Sequence, residues 1–192
     1  MSILVLTSDT LIGTPATGNL EYNGQFYGTD SNASRAQMQR IALGTTVATT
    51  SGTSIDFTGI PSWVKRITVM FSGVSTSGAS NWLIRIGDGS IVATGYSAAS
   101  SYWSAGVGTT LDTTGFPMYQ QQASGTHYGA VSIFSFGSNT WVASGVLGGS
   151  NGTGFSCTGT KTLVGTLDRI RLTTVNGTDT FDAGSVNLLW EG

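Results

Sequence analysis

The stretch Pro61–Asp88, P-S-W-V-K-R-I-T-V-M-F-S-G-V-S-T-S-G-A-S-N-W-L-I-R-I-G-D, decides the fold class. In its first half Ile67, Val69 and Phe71 share one face, while Arg66, Thr68, Met70 and Ser72 share the other. In its second half Trp82, Ile84 and Ile86 alternate with Leu83 and Arg85. Alternation with period two predicts strands with one buried and one wetter face. The Ser/Thr/Gly loop from Ser72 to Ser80 lets the chain reverse or cross over between them. Leu167–Trp190 echoes this unit: Ile170 and Leu172 alternate with Arg169, Arg171 and Thr173, then Val186, Leu188 and Trp190 alternate with Asn187 and Leu189. Both units are expected to supply central strands.

Outward from these units, Ile41 onward reads as strand, turn, strand. Strands are predicted over 45–49, 54–57, 91–96, 101–107, 118–122, 128–136, 140–147, 154–157 and 161–164. Gly137-Ser138-Asn139 turns a hairpin between Phe136 and Trp141. Short strands separated by Gly/Ser/Thr/Asn turns indicate an all-β, antiparallel sandwich or barrel, and a jelly-roll-like sandwich over 41–192 is the expectation. Residues 1–40 form a separate attachment segment. It holds an apolar run at Ile3–Leu6 and a hairpin signal at Asn23-Gly24, where a two-residue turn needs positive φ. Asp30–Arg40 is compatible with a short helix and is read as a turn or linker.

Composition narrows the function classes. With 192 residues, a sizeable core is available without disulfides. Charged residues make up 9% against about 25% in ordinary soluble domains, so the surface is hydroxyl-rich or is hidden against other subunits. The net charge is −2 and the eight Lys and Arg residues are scattered, which argues against a nucleic-acid partner. The apolar start is too short for a signal sequence or membrane span, so no membrane insertion is expected. Cys157, the single cysteine, reads as a small strand residue rather than a nucleophile.

Candidate sites are sparse. His127, the only histidine, has just Ser124 and Thr126 near it and no local acid, so it reads as an exposed loop residue outside any catalytic triad. No carboxylate pair suggests a glycosidase. Asn176, Asp179 and Asp182 offer oxygen ligands at loop spacing, yet Asx-turns in a hairpin explain them better than a Ca²⁺ site. No metal site and no cofactor are assigned. The aromatic residues of the middle region are more informative. Tyr96, Tyr102, Trp103, Tyr119, Tyr128 and Trp141 sit among Ser, Thr, Asn and Gln. Rings beside amides and hydroxyls suit a sugar-binding surface, with about half of these rings expected in the core or at a subunit interface. The ligand-contact set is Tyr102, Trp103, Tyr119, His127, Tyr128, Asn139 and Trp141. Tyr102-Trp103 leads it, because neighbours on a strand face opposite ways.

Residues 51–78, S-G-T-S-I-D-F-T-G-I-P-S-W-V-K-R-I-T-V-M-F-S-G-V-S-T-S-G, resemble a module of tail-fibre and minor structural proteins of tailed bacteriophages and prophages. So do residues 176–191, N-G-T-D-T-F-D-A-G-S-V-N-L-L-W-E. Residues 14–29, T-P-A-T-G-N-L-E-Y-N-G-Q-F-Y-G-T, are similar to a motif that precedes phage fibre domains. The region from about Ser97 to Lys161 carries no such likeness. The resemblance implies a virion structural protein, β-rich, assembled as a homotrimer and joined to other virion proteins through residues 1–40. It implies no catalytic residues, so the protein is expected not to be an enzyme, and a depolymerase ranks last. A tail-fibre or receptor-binding role against a host surface glycan leads. Capsid decoration, a head fibre or another tail-assembly role is the alternative. Leu83, Met70 and Leu189, apolar on wetter faces, are the expected subunit contacts.

Overall fold

The structure, a computed structural model, describes residues 10–192 except 12, 15, 24, 105, 121 and 124. The chain divides into two compact units, Met1–Arg40 and Ile41–Gly192. Ile3–Leu6 lies outside the described residues.

The first unit contains a three-stranded antiparallel sheet of β1 (Leu20–Tyr22), β2 (Phe26–Thr29) and β3 (Arg35–Gln37). The expected hairpin is present, but Tyr22 pairs with Phe26, so three residues connect the strands rather than two. Asp30–Arg40, expected to be a turn or linker, is in part β3. Its helix-compatible composition is overruled by pairing with β2, Tyr27 opposite Gln37 and Thr29 opposite Arg35. The Asp30 carboxylate accepts from the amides of Asn32 and Ser34 and shapes the turn into β3. Arg35 then grips Glu21 in a two-pronged ion pair across the sheet.

The second unit is an antiparallel sandwich. Its large sheet runs β10 (Val107–Asp112), β9 (Ser97–Trp103), β14 (Gly154–Thr162), β13 (Thr140–Gly149), β12 (His127–Gly137), β7 (Arg66–Thr76), β16 (Phe181–Glu191) and β4 (Ile41–Leu43), with β5 (Val47–Ala48) also on β16. Its small sheet runs β11 (Phe116–Met118), β8 (Trp82–Gly87), β15 (Arg169–Thr174) and β6 (Ser54–Thr58). The alternation in the sequence assigns the inner faces correctly. Ile67, Val69 and Phe71 of the large sheet meet Trp82, Ile84, Ile86, Ile170 and Leu172 of the small one in a single core.

The two echoing units are crossovers, not hairpins. β7 lies in the large sheet and β8 in the small one; β15 lies in the small sheet and β16 in the large one. β7 pairs with β16 and β8 with β15, so the two arms run side by side around the sandwich. This is the jelly-roll-like wrapping. Alternation reveals which face of a strand is buried but not which strand lies beside it, and both arrangements satisfy the same pattern.

Other expectations need correction. The segment 91–96 is a strap rather than a strand. It touches β8 through a bridge between Ile91 and Gly87 and through the Tyr96 hydroxyl. That hydroxyl accepts from the Ile86 amide and lies within hydrogen-bonding reach of the Val92 and Ile86 carbonyls. It thereby satisfies an edge group that no neighbouring strand reaches. The strand expected over 101–107 is two strands, β9 and β10, joined through residues 104–106. Leu83 is fully buried within its own chain, against Gly115, and cannot be a subunit contact. Cys157 is also fully buried, and burial pushes its thiol up to about 12. No helix of the described residues is long and apolar enough to cross a membrane.

Candidate functional site

The outer face of the large sheet carries the most ligand-like arrangement. Strand register puts Val107, Trp103, Gly154, Gly148 and Tyr128 in one row across β10, β9, β14, β13 and β12. Residues directly opposite one another share a face, so Trp103 and Tyr128 stand on the same side with two glycines between them. They are 44% and 45% exposed. Three strand spacings separate them, about 14 Å. A Cβ at Gly154 would collide with the Trp103 indole, so the indole covers that glycine. A Cβ at Gly148 would touch the Tyr128 ring at 3.9 Å. The glycines therefore form a floor on which two rings rest.

The next outward-facing row supplies hydroxyls. Ser101 and Ser156 stand in it, and the Ser101 amide donates to Ser156 Oγ at 3.3 Å. Across β9, β12, β13 and β14 this outer face bears no charged side chain; the one lysine of these strands, Lys161, sets its Nζ over the Tyr96 ring. Aromatic faces beside hydroxyls, with no charge, can pack against sugar C–H groups and bond sugar hydroxyls.

The structure separates the seven expected contact residues. Trp103 and Tyr128 share the row just described. Tyr102, on the opposite face of β9, stacks on Tyr119 with ring centroids 4.1 Å apart and 20° between planes. Burial and the neighbouring Tyr102 raise the Tyr119 phenol above its ordinary value. This pair closes one edge of the core rather than extending the outer row.

His127 is the clearest misreading. It opens β12, is 2% exposed, and is wedged between Trp82 and Phe155 with centroids at 4.8 and 5.0 Å. Burial pulls its pKa down to about 4, and the ring hydrogen-bonds the Val74 backbone. It is a neutral core residue and cannot contact a ligand at the surface. Its Ser/Gly-rich surroundings in sequence mimic a loop. Ser124 lies outside the described residues.

Asn139 and Trp141 belong to the far end of the β12–β13 hairpin, roughly 30 Å along the strands from His127. Ser138 and Asn139 occupy the turn with φ of 48° and 58°. The Asn139 amide donates to the Val164 carbonyl. Trp141 is a buried core ring, not an exposed one.

The acidic loop near the C-terminal arm works as a clamp. Asp179 accepts from the Ser80 amide and from Asn176 Nδ2, and Asp182 accepts from the Ser75 hydroxyl. Asp179 thus ties together the two loops that join the sheets, and Asp182 links the paired strands β16 and β7. Among the described residues no three His, Cys, Asp or Glu side chains gather as metal ligands would.

A second surface cleft, about 350 Å³, lies on the small sheet beside Asp56, Ser90, Arg169 and Arg171. Its charges are already matched: Arg171 holds Asp56 and Arg169 holds Asp168. The Arg171 hydrogen bond keeps the Asp56 carboxyl below its ordinary value. A charged ligand would have to displace these partners.

Sequence reasoning missed Gly148 and Gly154. A glycine inside a strand signals a close approach, and here what approaches is a ring. No family model, no curated protein and no solved structure matches the chain.

Proposed function

We propose that this chain is a virion structural protein of tailed bacteriophages, of the tail-fibre or receptor-binding type, contacting host surface glycans without catalysis. The observation that carries the glycan part is the row Trp103–Gly154–Gly148–Tyr128 on the uncharged outer face. Two rings about 14 Å apart suit an extended oligosaccharide better than a single sugar ring. The phage assignment rests on the likeness of residues 14–29, 51–78 and 176–191 to fibre modules. In this reading residues 1–40 join the sandwich to other virion proteins, and the assembly is a homotrimer.

The test is binding of the purified protein to host cells and to their extracted surface polysaccharide. Saturable binding that W103A and Y128A both weaken supports the reading. Absence of binding, with virions still adsorbing when the protein is missing, overturns it.

A second reading, capsid decoration, a head fibre or another tail-assembly protein, is favoured by the apolar residues of the same outer face. Leu111 is 83% exposed and Val146 60% exposed, in a field without charge on β9, β12, β13 and β14. Such surface is commonly covered by another subunit. Labelling the protein in intact virions separates the readings: a capsid-wide pattern fits decoration, a distal tail pattern fits reception.

A further inference from the structure

Among the described residues the two sheets of the sandwich end in four edges, and three of them are blunted. Beside β16 lie only β4 and β5, three and two residues long. β11 is three residues with Pro117 at its centre. β6 carries the exposed Asp56. Short strands, proline and charge are the usual means of keeping an edge from pairing with another chain. β10 lacks the first two and carries charge only at its end. It runs six residues, Val107–Asp112, pairs with β9 without a register shift, and has no described strand on its other side. An antiparallel strand turns the N–H and C=O groups of alternate residues toward each neighbour, so half of β10 presents a ladder with no strand to receive it. Asp112 is the last residue, and its carboxylate accepts from the Thr114 amide and hydroxyl.

The side chains of this edge say which strand fits it. Val107, Thr109 and Leu111 project on the outer face, with Val107 84% and Leu111 83% exposed. Apolar, hydroxyl, apolar is the same order in both directions. An antiparallel copy centred on Thr109 therefore sets Val107 opposite Leu111 of the second copy, Thr109 opposite Thr109, and Leu111 opposite Val107. Residues directly opposite share a face and touch. In that register Asp112 falls opposite Gly106 of the second copy, so no like charges meet.

We propose that β10 is a self-association edge, joined antiparallel to β10 of a second copy across a two-fold axis at Thr109, so that the large sheets of both copies become one. The contact is isologous, each copy giving the same residues. An edge join of this length buries less than the roughly 800 Å² per partner of a stable complex, so it forms at high local concentration. Being two-fold, it is separate from the contacts of a homotrimer and would link one trimer to another. It lies in the plane of the sheet and leaves Trp103 and Tyr128 uncovered, so the glycan reading and this one fail independently.

The experiment is sedimentation equilibrium of the full chain over a concentration series, comparing the wild type with V107K/L111K, T109K and V107K/L111E. All three positions are exposed, so the fold tolerates the changes, and unchanged thermal unfolding at low concentration checks this. The wild type is expected to rise to twice the mass of V107K/L111K and T109K, whether the base unit is one chain or three, because both variants set lysines opposite each other. V107K/L111E sets opposite charges across the join. It should regain the doubled mass and lose it at high salt. Hydrogen exchange gives a second readout: alternate amides of β10 should slow as wild-type concentration rises. A wild type that keeps the base mass throughout overturns the proposal and leaves the edge to a strand of another protein. Doubling that V107K/L111K and T109K retain, or that V107K/L111E does not regain, overturns it as well.

Discussion

The Trp103 indole occupies the space that a side chain at Gly154 would need, one strand away on the same face. The ring's position is thus set by the absence of a Cβ on its neighbour. G154V should push the indole off the sheet while suiting the strand. We expect it to weaken polysaccharide binding as W103A does, by about 0.5–1.5 kcal/mol per ring lost, a few-fold to tenfold. Binding isotherms for the two variants check this; wild-type affinity in G154V would remove the ring's position from the argument.

Burial of His127 makes stability depend on pH. Its pKa falls from the ordinary 6.5 to about 4 in the folded state. Below pH 6.5 the unfolded chain takes up a proton that the folded one refuses, so stability drops as pH falls toward 4 and levels off below it, as far as this residue is concerned. The full loss is about 3 kcal/mol. Urea midpoints measured between pH 7 and 4 should fall in the wild type, with a clearly smaller fall in H127F. Parallel curves would show that the histidine is not the titrating group.

Tyr96 closes the open side of β8. Y96F removes the hydroxyl that meets the Ile86 amide and the Val92 carbonyl and leaves both without that partner. A cost of about 1–3 kcal/mol is expected. Hydrogen exchange should localise it, with the Ile86 amide losing protection before the rest of β8. Uniform loss across the sheet would point to general destabilisation instead.

Gly184 sits at a bulge in β16 with φ of 84°, and a Cβ there would strike the Gly73 backbone of β7. G184A should therefore cost about 1–3 kcal/mol, although alanine usually stabilises a strand relative to glycine. Thermal unfolding of G184A beside G177A is the check. Gly177 has φ of 67° but open space around it, so G177A carries the backbone cost without the collision.

Much of the sandwich was legible from residues alone because burial imprints a period of two. Ile67, Val69, Phe71, Trp82, Ile84 and Ile86 all point inward as their spacing demands. What the pattern could not carry was partnership. β7 and β8 are adjacent in sequence and lie in different sheets, while β7 and β16, at opposite ends of the domain, pair directly. The same limit governed the candidate residues. Trp103 and Tyr128 became neighbours in one row only through two intervening strands, and His127 and Trp141 became core because of what packs on them. Asp30–Arg40 shows the converse: helix-compatible composition yields where a neighbouring strand offers a ladder.

The pairing of β7 with β16 also orders events in time. Arg66 and Glu191 are 125 positions apart, yet they close the same end of the sheet. During synthesis β7 emerges long before its partners β12 and β16 exist, with its apolar face finished and both edges open. Strand pairs of such separation close slowly, on the millisecond-to-second scale of all-β domains. The nascent chain must therefore keep β7 from pairing with other copies until β16 has left the ribosome. The sandwich can close only after translation has passed nearly all of it.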